Sequence, residues 1–161
     1  MCFCSQNWLH LILDKPRIIA NIAAIARLTT GLQISLHICG PLIFENNDKT
    51  KWRASLDYLQ HTCIHFHQNI FRCLHVLEKK PWIIEIGSLS TIWESSFQIG
   101  DCLILGPEIG HISPQIMQKL SYRKLSIPQP GPIRSLNLAQ CASIVTFEAI
   151  RQIYNSHTFL P

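Results

Sequence analysis

Four runs in this chain, WLHLILD (8–14), ISLHIC (34–39), PWIIEIG (81–87) and DCLILG (101–106), are largely apolar on both faces that a strand presents. A strand with one face in water alternates apolar and polar residues, whereas one that is apolar throughout must be covered on both sides. Helical spacing fills the intervals between them. IIANIAAIARLT (18–29) brings Ile18, Ile22, Ile25 and Thr29 back at three- and four-residue steps. IFRCLHVLEK (70–79) is helix-like, and SPQIMQKL (113–120) opens with a serine cap and a first-turn proline. The last helix carries the stripe Leu138, Ala142, Val145, Ala149 and Ile153. CIHFH (63–67) and KLSIP (124–128) read as further short strands, and NNDKTKWRASLDYL (46–59) as a loop and a helix. This alternation predicts an α/β fold, a mostly parallel sheet flanked by helices. One domain is expected over 1–161, with its core at about 8–154, because no repeat or linker interrupts the pattern.

Composition narrows the class. With 47% hydrophobic and 15% charged residues, the chain can bury a large core and is far from the disordered class. A net charge of +4 is compatible with a polyanionic partner without requiring one. The seven cysteines are scattered, Cys2 and Cys4 form C-x-C, and no zinc-ribbon spacing follows. The apolar run from Trp8 to Leu13 is closed by Asp14 and Lys15, too soon for a signal peptide or a membrane span. A reduced, cytoplasmic protein is expected, with no membrane association.

Four groups of residues bear chemistry. In LILGPEIG (103–110) a buried strand runs into Gly106-Pro107 and then Glu108, where parallel sheets hold their ligands. The plainer reading is an ordinary turn with a solvated Glu108. In LSIPQPGPIRSLNLA (125–139) a proline-rich loop leads to a helix start bearing Arg134, Ser135 and Asn137. Ser135 or Asn137 could cap that helix. A cap leaves Arg134 unexplained, since a cation near the positive end of a helix dipole wants an anion beside it. Asn21 and Arg27 share the first helix but not one of its faces. In so apolar a segment Arg27 needs an anionic partner or solvent. Finally, His61, Cys63, His65 and His67 alternate and so share one strand face. Ligands alternating on a single strand spread over about 20 Å and converge poorly on one ion, so a histidine-rich sheet face is expected there rather than a metal site.

Taken in order, these motifs resemble those of the SPOUT (alpha/beta-knot) RNA methyltransferases. The resemblance is nearest to the small tRNA (cytidine/uridine-34) 2′-O-methyltransferases and runs from about His10 to Ile153. It rests on KPRIIANIAAIARLT, DKTKWRASLDY, GDCLILGPEIGHIS and LSIPQPGPIRSLNLAQCASIVTFEAIRQI. It implies a deep trefoil knot at the carboxyl end, a homodimer, and S-adenosylmethionine as methyl donor. It implies donor contacts at Ile84, Gly106, Ile127 and Ser135. It implies transfer-site roles for Asn21, Arg27, Glu108, Ser135 and Asn137, with Glu108 holding Arg27 or the donor's amine. Lys51 and Arg53 fall in its basic stretch, suited to the phosphates of a tRNA substrate.

The chain departs from the family pattern in places. Of the family's Asn-Thr-Gly-Asn only Asn21 is kept, and a later Asn-Thr-Gly is Gly31-Leu32-Gln33. The glycine after Glu108 comes one position early, at Gly110, and His111 takes its usual place. Glu85, in EIGSLST, adds a charge near the implied donor site. A related rRNA or tRNA 2′-O-methyltransferase would carry the same motifs, and so would a non-catalytic RNA-binding dimer. A generic nucleotide-binding domain is disfavoured, because neither G-x-G-x-x-G nor a P-loop occurs. The implied chemistry requires no metal.

Overall fold

A computed structural model describes residues 8–42, 62–79, 81–120 and 123–156. The strands are β1 (Leu9–Asp14), β2 (Ser35–Cys39), β3 (Ile64–His67), β4 (Trp82–Ile84), β5 (Asp101–Leu105) and β6 (Lys124–Leu125). The helices are α1 (Ile19–Gly31), α2 (Ile70–Leu77), α3 (Pro114–Lys119) and α4 (Leu138–Ser156). The strands form one sheet in the order β3-β2-β1-β5-β4-β6, and every pairing is parallel. The expected parallel α/β sheet is therefore observed. Among the described residues, no helix is long and apolar enough to cross a membrane.

Strand alternation sorts the core into two layers. Leu9, Leu11 and Leu13 of β1 join Leu36, Ile38, Leu103 and Leu105 under α1 and α4. Ile12 joins Cys39, Ile83, Cys102 and Ile104 under α2 and α3. The α4 stripe read from the sequence is the buried one: Leu138, Ala142, Val145, Ala149 and Ile153 are all at most 8% exposed.

Element ends differ from the sequence reading where tertiary contacts decide them. β4 covers three residues instead of 81–87, because the chain turns at Gly87 (φ +74°) and the following segment ties itself to β6. There the Ser126 hydroxyl donates to the carbonyl oxygens of Ser88 and Ser90, at 3.1 and 3.3 Å. β6 stops short of Pro128, which has no N–H to continue a ladder. Ser113 stands at the cap position of α3, but its side chain makes no capping hydrogen bond. α4 begins only after Asn137, so Arg134 and Ser135 precede it, in the loop. The expected helix or loop at 46–59, including Lys51 and Arg53, lies outside the described residues, as does His61.

A 3-10 turn at Ile92–Glu94 and the residues after it lie against α4 through one side chain. Gln152 accepts from the Phe97 amide at 3.0 Å and donates to the Ile92 carbonyl at 3.3 Å and to Glu148 at 2.7 Å. Replacing it (Gln152→Ala) removes the partner of a backbone amide beside buried Phe97. Urea unfolding is expected to show a loss of about 1–3 kcal/mol; an unchanged midpoint would mean that water replaces these bonds at no cost.

Candidate active site

The loop that leaves the carboxyl end of β5 turns Glu108 back over the start of α1. Its Oε2 accepts from the Arg17 amide at 2.8 Å, and its Oε1 from the Ile18 amide at 3.1 Å and from Asn21 Nδ2 at 2.9 Å. The residue at the α1 cap is Ile18, which offers no side-chain acceptor, so a carboxylate from a distant loop satisfies the open N–H groups. Its charge also complements the positive end of the helix dipole. Asn21 is 5% exposed and uses its other side-chain atom as well, Oδ1 accepting from Asn137 Nδ2 at 2.9 Å. Asn137 in turn caps α4, accepting from the Ala139 amide at 2.8 Å. One chain of hydrogen bonds thus joins three motifs that are far apart in sequence.

Of the residues singled out from the sequence, Asn21, Glu108 and Asn137 are brought together in this network. Between the two candidate caps the structure selects Asn137, and Ser135 is exposed in the loop before it. Arg134 is likewise exposed ahead of the helix, outside its first turn, so the dipole conflict does not arise. In this structure both oxygens of Glu108 anchor the start of α1. Arg27 is exposed and lies about 9 Å further along α1 than Asn21.

Ile84, Gly106 and Ile127 fall at the carboxyl ends of three neighbouring strands. Ile84 is level with Leu105 on one side and Leu125 on the other; Gly106 follows Leu105 directly, and Ile127 comes two residues after Leu125. Gly106 also admits close packing, because a Cβ there would stand 3.0 Å from Ile112 Cγ1. Gln129, two residues past Ile127, was not foreseen. Its side-chain carbonyl oxygen is buried and has no hydrogen-bond partner among the described residues. A glutamine in a proline loop gives no sequence signal of that kind. The Gly-Asp motif proves structural, with Asp101 accepting from Trp82 Nε1 at 2.9 Å and pairing with Arg123 at 3.6 Å.

The histidine-rich face exists, and it reaches across strands. His10 Nδ1 lies 3.0 Å from His37 Nε2, and His37 Nδ1 lies 3.0 Å from His67 Nε2. His65 stacks on His37 with ring centroids 4.8 Å apart. Burial pushes the His37 imidazole down to about 3, with the neighbouring histidines adding to it. Burial, then His65 and Lys79, brings His10 to about 4. Burial likewise lowers His67 and raises the Asp14 carboxyl. As pH falls through the ordinary imidazole value near 6.5, the unfolded chain takes up protons that folded His10 and His37 refuse. Stability is therefore expected to fall by a few kcal/mol, to order of magnitude, between about pH 6.5 and 4, with Asp14 opposing in part. Urea unfolding across that window tests this, and a flat profile would refute it.

The model of the SpoU rRNA methylase family matches residues 8–147. The tRNA (cytidine(34)-2'-O)-methyltransferase of Escherichia coli is 33% identical over 148 residues, which are 90% of this chain and 94% of that protein. A solved structure described as giving insight into 2-OH methylation of C/U34 on tRNA superposes with a TM-score of 0.81 at 32% identity, covering 92% of this chain and 97% of the other. The methyltransferase AviRb from Streptomyces viridochromogenes, solved with AdoMet, shares the fold with a TM-score of 0.77 at 22% identity, over 94% of this chain and 62% of that one.

Proposed function

The chain belongs to the SpoU methylase family, and from that premise we propose that it methylates the ribose 2′-hydroxyl of the tRNA nucleotide at position 34, using S-adenosylmethionine. The observation that carries this reading is the Glu108–Asn21–Asn137 network, which fixes three family motifs against one another beyond the carboxyl ends of a parallel sheet. The residues fit the methyl donor. Ile84 ends β4, Gly106 and Ile127 lie just past the ends of the adjacent strands β5 and β6, and the orphaned Gln129 oxygen is an acceptor suited to an amino group. When bound, the donor supplies an activated methyl group on a sulfonium.

The remaining work falls to the chain. A ribose hydroxyl is a weak nucleophile at neutral pH and must shed its proton as it attacks. The Arg27 guanidinium stabilises the oxygen's developing negative charge; arginine is too strongly protonated to act as the base itself. Asn21 and Asn137 orient the reacting groups through the network, while Glu108 fixes α1 and so the position of Arg27. Ser135, exposed in the proline loop, is available to a bound donor. Alignment of this kind is a large share of the achievable rate gain.

The chain is read as a single domain whose carboxyl end forms the trefoil knot that the family resemblance implies; the bonds from Gln152 of α4 to the 92–97 segment support that reading. A homodimer forms over the second, outward stripe of α4, where Ile144 is 40% exposed, Phe147 54% and Tyr154 37%. Light scattering is expected to give twice the mass of the 18.4 kDa chain, and Phe147→Asp to lower it. A wild-type monomer would refute the dimer.

The decisive experiment maps 2′-O-methylated nucleotides in total tRNA and rRNA from cells with and without this protein. Loss confined to tRNA position 34 supports the reading. Loss in rRNA instead would overturn the target, and absence of S-adenosylmethionine binding would overturn the reaction.

A further inference from the structure

The sheet face beneath α2 holds more unneutralised polar chemistry than packing requires. We propose that His37, His67 and Cys73 form a binding site for a single zinc-class divalent cation. The three side chains come from β2, β3 and α2, and one ligand atom from each lies within 4.8 Å of the other two. Tetrahedral zinc, with bonds of about 2.0–2.1 Å to nitrogen and 2.3 Å to sulfur, sets its ligand atoms roughly 3.3–3.8 Å apart. Side-chain movements of about 1 Å reach that geometry. This is not the alternating set along β3, whose spacing disfavours a metal site, because the ligands converge from three elements.

The surroundings favour a cation. His37 has its second ring nitrogen 3.0 Å from His10 Nδ1, so its proton can be donated to His10 while Nδ1 keeps its lone pair for a metal. An outer hydrogen bond of this kind is the usual companion of a histidine ligand. Asp14 is 1% exposed, and neither of its carboxylate oxygens has a partner among the described residues. It lies on the same sheet face, level with Cys39. A buried carboxylate without a partner is costly, and a bound cation offsets that cost. Two imidazoles and a thiolate select zinc or a similar borderline ion over magnesium or calcium. Among the described residues β3 is the edge strand and His67 is only half-buried, which leaves a way in for an ion. The bound ion would pin that edge strand and α2 to β2.

The test uses the whole chain, freed of metal by a chelator and titrated with zinc or cobalt(II). Wild type is expected to take up one ion per chain, and cobalt to give the visible bands of a tetrahedral site with thiolate-to-cobalt charge transfer. Cys73→Ala should lose the charge-transfer band. His67→Ala, at a half-exposed position that tolerates truncation, should weaken binding by about 100-fold or more, since even outer-shell losses cost 10- to 100-fold. Zinc should raise the unfolding temperature of wild type and not that of His67→Ala. Absence of saturable uptake in wild type overturns the proposal, as does equal uptake by both variants, which would assign the ion to other residues.

Discussion

Replacing Arg27 with alanine is expected to cut the rate constant for methyl transfer by at least about 100-fold while leaving S-adenosylmethionine binding within about twofold. Arg27 is exposed near the middle of α1, and the network that positions the helix runs through Asn21 and Glu108. Its removal leaves that network in place and withdraws a positive charge from the reacting oxygen. Arg27→Lys keeps the charge but loses the planar fork, and should recover only part of the rate. Single-turnover transfer to unmodified tRNA, set beside calorimetric titration with the methyl donor, separates the two effects. Full activity in Arg27→Ala would sink the assignment.

Glu108→Gln should show the opposite division, a structural loss that becomes a kinetic one. The carboxylate offers two acceptor oxygens to three N–H donors, whereas glutamine offers one and turns an amine toward at least one of the others. About 1–3 kcal/mol of stability should go. Because α1 carries both Asn21 and Arg27, slack at its start displaces both. A misplacement of about 1 Å can cost 100-fold in rate. The expected result is a rate constant lowered by about 10- to 100-fold, a KM for tRNA little changed, and a lower unfolding temperature. Unchanged stability with lost activity would instead mark Glu108 as a direct participant.

Much of this molecule was legible in its sequence, for physical reasons that differ by element. The strands announced themselves because a parallel sheet buried on both faces needs apolar runs, and β1, β2 and β5 have them. α4 was legible because its buried stripe spans many turns. Asn21, Glu108 and Asn137 were found because polar residues stand out beside glycine, proline and helix starts. Their mutual bonds were not, because no local rule says which polar residue finds which across the chain. Gln152 and Gln129 were missed for the same reason: a glutamine on a helix or in a loop is ordinary until its partners are seen. The convergence of His37, His67 and Cys73 depends on strand order, which periodicity does not encode. The choice of Asn137 over Ser135 as cap turned on where α4 could start while still packing Leu138 into the core.

The strand order also bears on how the chain folds as it is made. β1, β2 and β3 come from the first half of the sequence and β5, β4 and β6 from the second, and within the sheet the two halves meet only along the β1–β5 pairing, from Leu9–Asp101 to Leu13–Leu105. A growing chain can therefore assemble one half-sheet early, but β1 keeps an open apolar edge until translation has passed β5. Such long-range parallel pairing is slow and leaves sticky edges exposed. Synthesis halted between Glu94 and Asp101 should leave a chaperone-dependent half-protein, and that dependence should end only once α4 as well has been made to cover β1 and β5.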